Sequence, residues 1–171
     1  MGIPRSSVII STKRALKWGA GVRVIHRMMN PEEDVTLELA QRGTTRHQDA
    51  FEMARRHWPE DPPSGAEIEI MVAVHRATNR VIGAVSLDLE SDVPVPPPAG
   101  GPWIVNLVVA PDCRGQGIGT RLLRRAAERW APAWFQCRPE LLRWYAARVH
   151  LRVEERRPGT VVCRLLASRE I

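Results

Sequence analysis

The stretch Leu107-Val108-Val109-Ala110-Pro111-Asp112-Cys113-Arg114-Gly115-Gln116-Gly117-Ile118-Gly119-Thr120 decides how this chain folds. Trp103 to Ala110 is a continuous apolar run, read as a buried strand that ends at Pro111. Ile118, Leu122, Leu123, Ala126, Ala127 and Trp130 then recur at helical spacing. Between strand and helix stand glycines at 115, 117 and 119, with Arg114 before them and Thr120 after. Glycines there let the backbone take unusual dihedrals and come close to a ligand. Free N–H groups at the helix start, aided by the helix dipole, attract an anion. The arrangement points to a pyrophosphate.

Three other glycine loops fit less well. A Walker A loop needs Gly-Lys-Ser/Thr, and here Gly119 is followed by Thr120-Arg121. A dinucleotide fingerprint needs a third glycine where Thr120 stands, and it normally follows the first strand. A Gly-x-Gly-x-Gly methyltransferase turn would leave only about a third of the chain for its remaining α/β units. A turn with no ligand would place three helix-breaking glycines beside an arginine for packing alone.

Working outward, Val22-Arg23-Val24-Ile25-His26 predicts a first strand. Asn30-Pro31-Glu32-Glu33-Asp34 predicts a helix start, with Asn30 as N-cap and Val35, Leu37, Leu39 and Ala40 as the apolar side. A second helix is expected from about Thr45 to Trp58, then a loop at Asp61 to Gly65. The alternating runs Ile68 to Val74 and Val81 to Leu89 predict an antiparallel hairpin. Ser91 to Pro102 holds five prolines and two glycines and predicts a mobile loop. After the glycine turn and its helix, Trp134 to Cys137 predicts a strand and Pro139 to Ala147 a helix. Arg152 to Glu155 and Thr160 to Leu165 predict a closing hairpin. The sum is an α/β (α+β) fold with mixed strand pairing and helices on the sheet faces.

The chain has 171 residues, enough for one domain with a sizeable core. With 44% hydrophobic and 26% charged residues it has a globular composition, which excludes extended disorder and collagen-like structure. No apolar run approaches a membrane span. Cys113, Cys137 and Cys163 lie far apart without a Cys-x-x-Cys pair, so neither a disulfide framework nor a zinc site is expected. The net charge of +6 is almost all arginine and forms no dense basic block, so it reads first as solvated surface and second as a nucleic-acid or phosphate surface. The first 21 residues carry a short apolar run ahead of Lys13, Arg14 and Lys17, the reverse of a secretory leader. The expectation is a cytoplasmic protein with an extension over residues 1–21 and a single domain over 22–171.

Arg114-Gly115-Gln116-Gly117-Ile118-Gly119 resembles Q/R-x-x-G-x-G/A, the acyl-CoA signature of the GNAT superfamily of N-acetyltransferases. The preceding Leu107 to Pro111 resembles that family's cofactor strand, and the element order from about residue 22 to 167 agrees. The resemblance implies a mostly antiparallel central sheet with helices on both faces. It implies acetyl-CoA as co-substrate, held by the backbone of Leu107, Val108 and Val109, by Arg114, and by the amides of Gly115, Gln116, Gly117, Ile118, Gly119 and Thr120. A backbone N–H near Val109 would polarise the thioester carbonyl. Transfer would go directly to a primary amine of a small molecule, peptide or protein. No metal and no membrane is implied, and a homodimer is compatible with it. A non-catalytic acyl-CoA-binding module is one alternative. An RNA-docking acyltransferase acting on aminoacyl-tRNA, supported only by charge, is another.

Tyr145 is the sole tyrosine and stands where the family often has the residue that protonates the leaving thiolate. The family's asparagine ahead of that helix aligns with Arg138, and its Gly-Phe aligns with Val149-His150, so acceptor details do not carry over. The family's glutamate near the start of the cofactor strand has no counterpart in Gly100-Gly101-Pro102-Trp103. Asp88 and Glu90 share one face of the neighbouring strand and are the carboxylates expected to orient a proton-accepting water or attract a cationic substrate.

Overall fold

A computed structural model describes residues 30–59, 68–89 and 102–167. The strand expected at Val22 to His26, the extension over 1–21, the loop at 61–65, Glu90 and the proline segment up to Gly101 lie outside the described residues.

The helix expected after Asn30 forms for one turn only, α1 (Pro31–Asp34). Its cap is in place: the Asn30 side chain accepts from the Glu32 N–H at 3.2 Å, and the Asn30 N–H donates to Asp34 Oδ2 at 2.8 Å. Residues assigned to its apolar side instead form a strand, β1 (Val35–Ala40). Val35, Leu37 and Leu39 alternate with a period of two, and β1 pairs antiparallel with β2 (Ile68–His75) from Val35↔His75 to Ala40↔Ile70. The capping signals act only over the first turn, and six cross-strand partners decide the rest.

After α2 (Thr45–His57), the hairpin of β2 and β3 (Arg80–Asp88) forms as expected. Then come β4 (Trp103–Val109), α3 (Ile118–Trp130), β5 (Ala133–Cys137), α4 (Pro139–Ala146), β6 (Leu151–Arg157) and β7 (Thr160–Leu165). The seven strands form one sheet in the order β1-β2-β3-β4-β5-β7-β6, parallel only between β4 and β5.

Helices cover both faces. On one, Ala50, Ala54 and Trp58 of α2 pack on Ile70, Val72, Val74 and Val108. On the other, Ile118, Leu122, Leu123 and Ala126 of α3, with Tyr145 of α4, pack on Ala73, Ile82, Val85, Leu107 and Phe135. Strand alternation supplies both faces from the same strands. No helix among the described residues is long and apolar enough to cross a membrane.

Gly83 sets how closely α3 approaches the sheet. A Cβ there would lie 3.0 Å from Leu122 Cδ1, 3.1 Å from the Val108 carbonyl oxygen and 3.3 Å from Ile118 Cγ2. Gly83→Ala is therefore expected to overpack this contact and destabilise the fold by about 1–3 kcal/mol. Urea denaturation checks this; an unchanged midpoint would mean that α3 lifts from the sheet at no cost.

Candidate active site

The site is built where β4 and β5 part. They pair only at Trp103↔Trp134 and Ile104↔Phe135, after which β4 runs on alone along β3 and β5 along β7. The Ala110 N–H donates to the Ile82 carbonyl at 2.9 Å, while Gly83 and Val109 are Cα partners. That register makes Gly83–Val109 a non-hydrogen-bonded antiparallel pair. The N–H and C=O of Val109, and by alternation of Leu107, therefore turn away from β3 and toward the parting. Those of Val108 face β3, and its side chain is buried beneath α2.

Beyond β4 a 3-10 turn, Pro111–Cys113, leads into the glycine loop. Gly115 and Gly117 have φ of 79° and 82°, left-handed values that suit glycine. Gly117 is the N-cap of α3 and offers no side-chain cap, so the N–H groups of Ile118, Gly119 and Thr120 point out of the helix end without one. Among the described residues a Cβ on Gly115 or Gly117 would meet nothing within 4 Å, and one on Gly119 would meet only Val109 Cγ2 at 3.5 Å. The outer side of the loop is open and sits at the positive end of a helix. A pyrophosphate fits that chemistry.

The side chains around the loop divide into those that build it and those that remain unpaired. Arg114 lies back along β4: its Nε donates to the Val109 carbonyl at 2.9 Å, and its guanidinium donates to His57 Nε2. An arginine can only donate, so the His57 ring accepts in its neutral form. Burial first, and the Arg114 charge second, hold the His57 pKa below its ordinary value. Gln116 reaches the Asp112 carbonyl at 3.4 Å through Nε2, while its Oε1 is buried with no hydrogen-bond partner among the described residues. The Ile118 side chain is in the core. Thr120 Oγ1 accepts from Arg148 Nε at 3.0 Å.

Arg80 donates to Asp112 Oδ2 at 2.6 Å, joining the start of β3 to the loop. This bond is the largest cause of the depressed Asp112 pKa. A carboxyl depressed on folding stabilises the fold above its ordinary pKa, and the effect fades as pH falls through the depressed value. Both side chains are more than half exposed. Arg80→Ala is therefore expected to cost less than about 1 kcal/mol at neutral pH and nothing once Asp112 is protonated. Denaturation of both proteins across the acid range checks the sign.

Tyr145 is the one buried residue of α4. Its ring lies 4.9 Å from Phe135 and 5.0 Å, edge-on, from Trp144. The hydroxyl is buried with no hydrogen-bond partner among the described residues. Burial, and then the neighbouring Cys137 and Cys163 thiols, push the phenol well above its ordinary pKa. At neutral pH the phenol therefore stays protonated. Asp88, half-buried at the end of β3, is a Cα partner of Trp103. By alternation from Ala84 it lies on the α2 face, opposite Tyr145.

The sequence reading did not anticipate His57, Arg80 or Arg148, which reach the loop from distant elements. All three cysteines are free and buried.

A mixed sheet that parts beside an uncapped, glycine-lined helix start is the architecture of an acyl-CoA-dependent acetyltransferase domain. The model of the acetyltransferase (GNAT) family matches residues 33–151, and the chain belongs to that family. The comparison with curated proteins gives no match. Among solved structures, a Trypanosoma brucei acetyltransferase is similar with 23% identity and a TM-score of 0.52, over 72% of this chain and 96% of that one. A GNAT family acetyltransferase from Elizabethkingia anophelis with acetyl-CoA bound has 16% identity and a TM-score of 0.50, over 79% and 99%. An aminoglycoside 6′-N-acetyltransferase complexed with coenzyme A has 13% identity and a TM-score of 0.52, over 75% and 95%. At these identities the likeness is one of fold.

Proposed function

We propose that this chain, as a single domain over residues 22–171, is an acetyl-CoA-dependent N-acetyltransferase that transfers the acetyl group directly to a primary amine in a ternary complex. The observation that carries the reading is the parting of β4 and β5 next to the open glycine loop. An extended thiol arm can pair with Leu107 and Val109 as an added strand, while its pyrophosphate meets the amides from Gly115 to Thr120. Arg114 holds the loop against the end of β4, and its charge would favour phosphates bound there.

Acetyl-CoA supplies the activated acyl group as a thioester. A β4 N–H that faces the parting further from the loop than Val109, that of Leu107, would donate to the thioester carbonyl oxygen and stabilise the charge that develops there. As the amine nitrogen bonds to the acyl carbon and the carbon–sulfur bond breaks, Tyr145 donates its hydroxyl proton to the departing sulfur. Asp88 pairs with Trp103, about 17 Å along β3 from the Gly83 that pairs with Val109. In this reading Asp88, with Glu90 as the second candidate, therefore attracts a cationic acceptor, and the amine gives its proton to water. An acceptor approaching from the α2 face meets the parting from the side opposite Tyr145.

Two measurements test the reading together. Titration calorimetry should show CoA and acetyl-CoA binding to the whole chain. Thiol release from acetyl-CoA should rise when a panel of primary amines is added. Binding without amine-stimulated release from any member of a panel of polyamines, aminoglycosides, peptide N-termini and lysine peptides would favour the binding-module alternative. Absence of CoA binding would overturn both.

A further inference from the structure

α4 carries the proposed proton donor; it fully buries Tyr145 and lays Leu141, Leu142 and Trp144 half-buried against the same core. A polar restraint on its C-terminal end stands just beyond it, at Arg148. The Arg148 guanidinium donates through Nη1 to the Trp144 carbonyl at 2.8 Å, one of the orphan carbonyls of the last turn of α4. Its central carbon lies 4.2 Å from the centroid of the Trp144 ring. Nε reaches across to Thr120 Oγ1, at the third residue of α3. A second strut runs beside it, from Arg124 Nε of α3 to the Arg148 carbonyl at 3.4 Å. Trp144 in turn stands edge-on against Tyr145.

From this we infer that Arg148 is a positioning residue that locks the first turn of α3 to the end of α4. It thereby fixes the place of the Tyr145 hydroxyl relative to the glycine loop. The inference rests on the acetyltransferase reading above. The planar guanidinium suits the task because one rigid fork meets a hydroxyl, a carbonyl and an aromatic face together. Thr120 then has two duties: its N–H belongs to the loop, and its hydroxyl accepts from Arg148.

The chain's single tyrosine makes the inference directly testable. Whole protein grown with fluorinated tyrosine gives one fluorine resonance, and it reports on Tyr145 alone. In the unmodified sequence that resonance should shift when CoA is added. Arg148→Gln should displace or broaden it before any CoA is present. The same variant should bind CoA within about threefold of the original affinity and lower amine-stimulated thiol release by roughly tenfold. Thr120→Val removes the acceptor at the other end and should displace the resonance in the same direction. The double variant should move it no further than Arg148→Gln alone, because both changes break one strut. Thr120→Val also covers the case in which Arg148→Gln does not fold.

A resonance in the free Arg148→Gln protein that superimposes on the original would overturn the inference. So would additive displacements in the double variant. CoA affinity falling beyond tenfold with the resonance unmoved would make Arg148 a phosphate ligand instead. If the unmodified chain binds no CoA, the acetyltransferase reading fails separately, and the free-protein resonance still tests the strut.

Discussion

Gly117→Ala is expected to weaken CoA binding more than tenfold, a loss above about 1.4 kcal/mol, while Gly119→Ala is expected to keep CoA affinity within about threefold. The contrast follows from where the two glycines sit. Gly117 is the N-cap of α3 with a φ of 82°, and its Cβ would stand in the open space of the loop, with nothing among the described residues within 4 Å. An alanine there meets roughly 1–2 kcal/mol of left-handed backbone strain and puts a methyl where a pyrophosphate would meet the amides. Gly119 lies in the first turn of α3, outside the left-handed region, and a Cβ there turns to Val109 Cγ2 in an ordinary 3.5 Å contact. The signature Q/R-x-x-G-x-G/A accepts alanine at this last position. Gly119→Ala is therefore the control: it gains up to about 1 kcal/mol of helix stability and leaves the amides open. Calorimetry showing unchanged CoA affinity in folded Gly117→Ala protein would remove the pyrophosphate from this loop.

The β4-loop-α3 unit was legible in the sequence because its signals are local. A continuous apolar run gives way to helical spacing across a proline and three glycines, and each signal is read within a few residues. β1 was not legible, because Asn30, Pro31 and three acidic residues announce a helix start, and the alternation of Val35, Leu37 and Leu39 is too short to outweigh them. Its pairing with β2, whose partner residues lie 30 to 40 positions away, decides the matter. The parting of β4 from β5 has no sequence signature either. It arises because β4 continues along β3 while β5 is drawn to β7. The side chains that brace the loop were hidden for the same reason: His57 and Arg148 lie 57 and 28 positions from Arg114 and Thr120. Spacing reveals the residues that form a turn. It does not reveal the residues that reach the turn from another element.

Tyr145→Phe is expected to give a protein that is at least as stable, binds CoA as before, and turns over roughly 10²-fold more slowly. The stability half of this expectation comes from the hydroxyl, which is buried without a hydrogen-bond partner among the described residues. An unsatisfied buried polar group costs about 1–3 kcal/mol, and phenylalanine removes it while keeping the ring packed on Phe135 and Trp144. A fold does not benefit from such a group, so its presence is best explained by a partner that arrives with the reaction. The departing sulfur of acetyl-CoA is a partner of the right kind, since it needs a proton as it leaves. Because burial keeps the phenol protonated well past the ordinary tyrosine range, activity in the original protein should not lose its donor on the alkaline side near pH 10. Rising stability with falling kcat would separate this role from packing, which predicts neither. The outcome that defeats it is a Tyr145→Phe protein with undiminished kcat when chemistry limits the rate. In that event the thiolate takes its proton from water or from the amine itself.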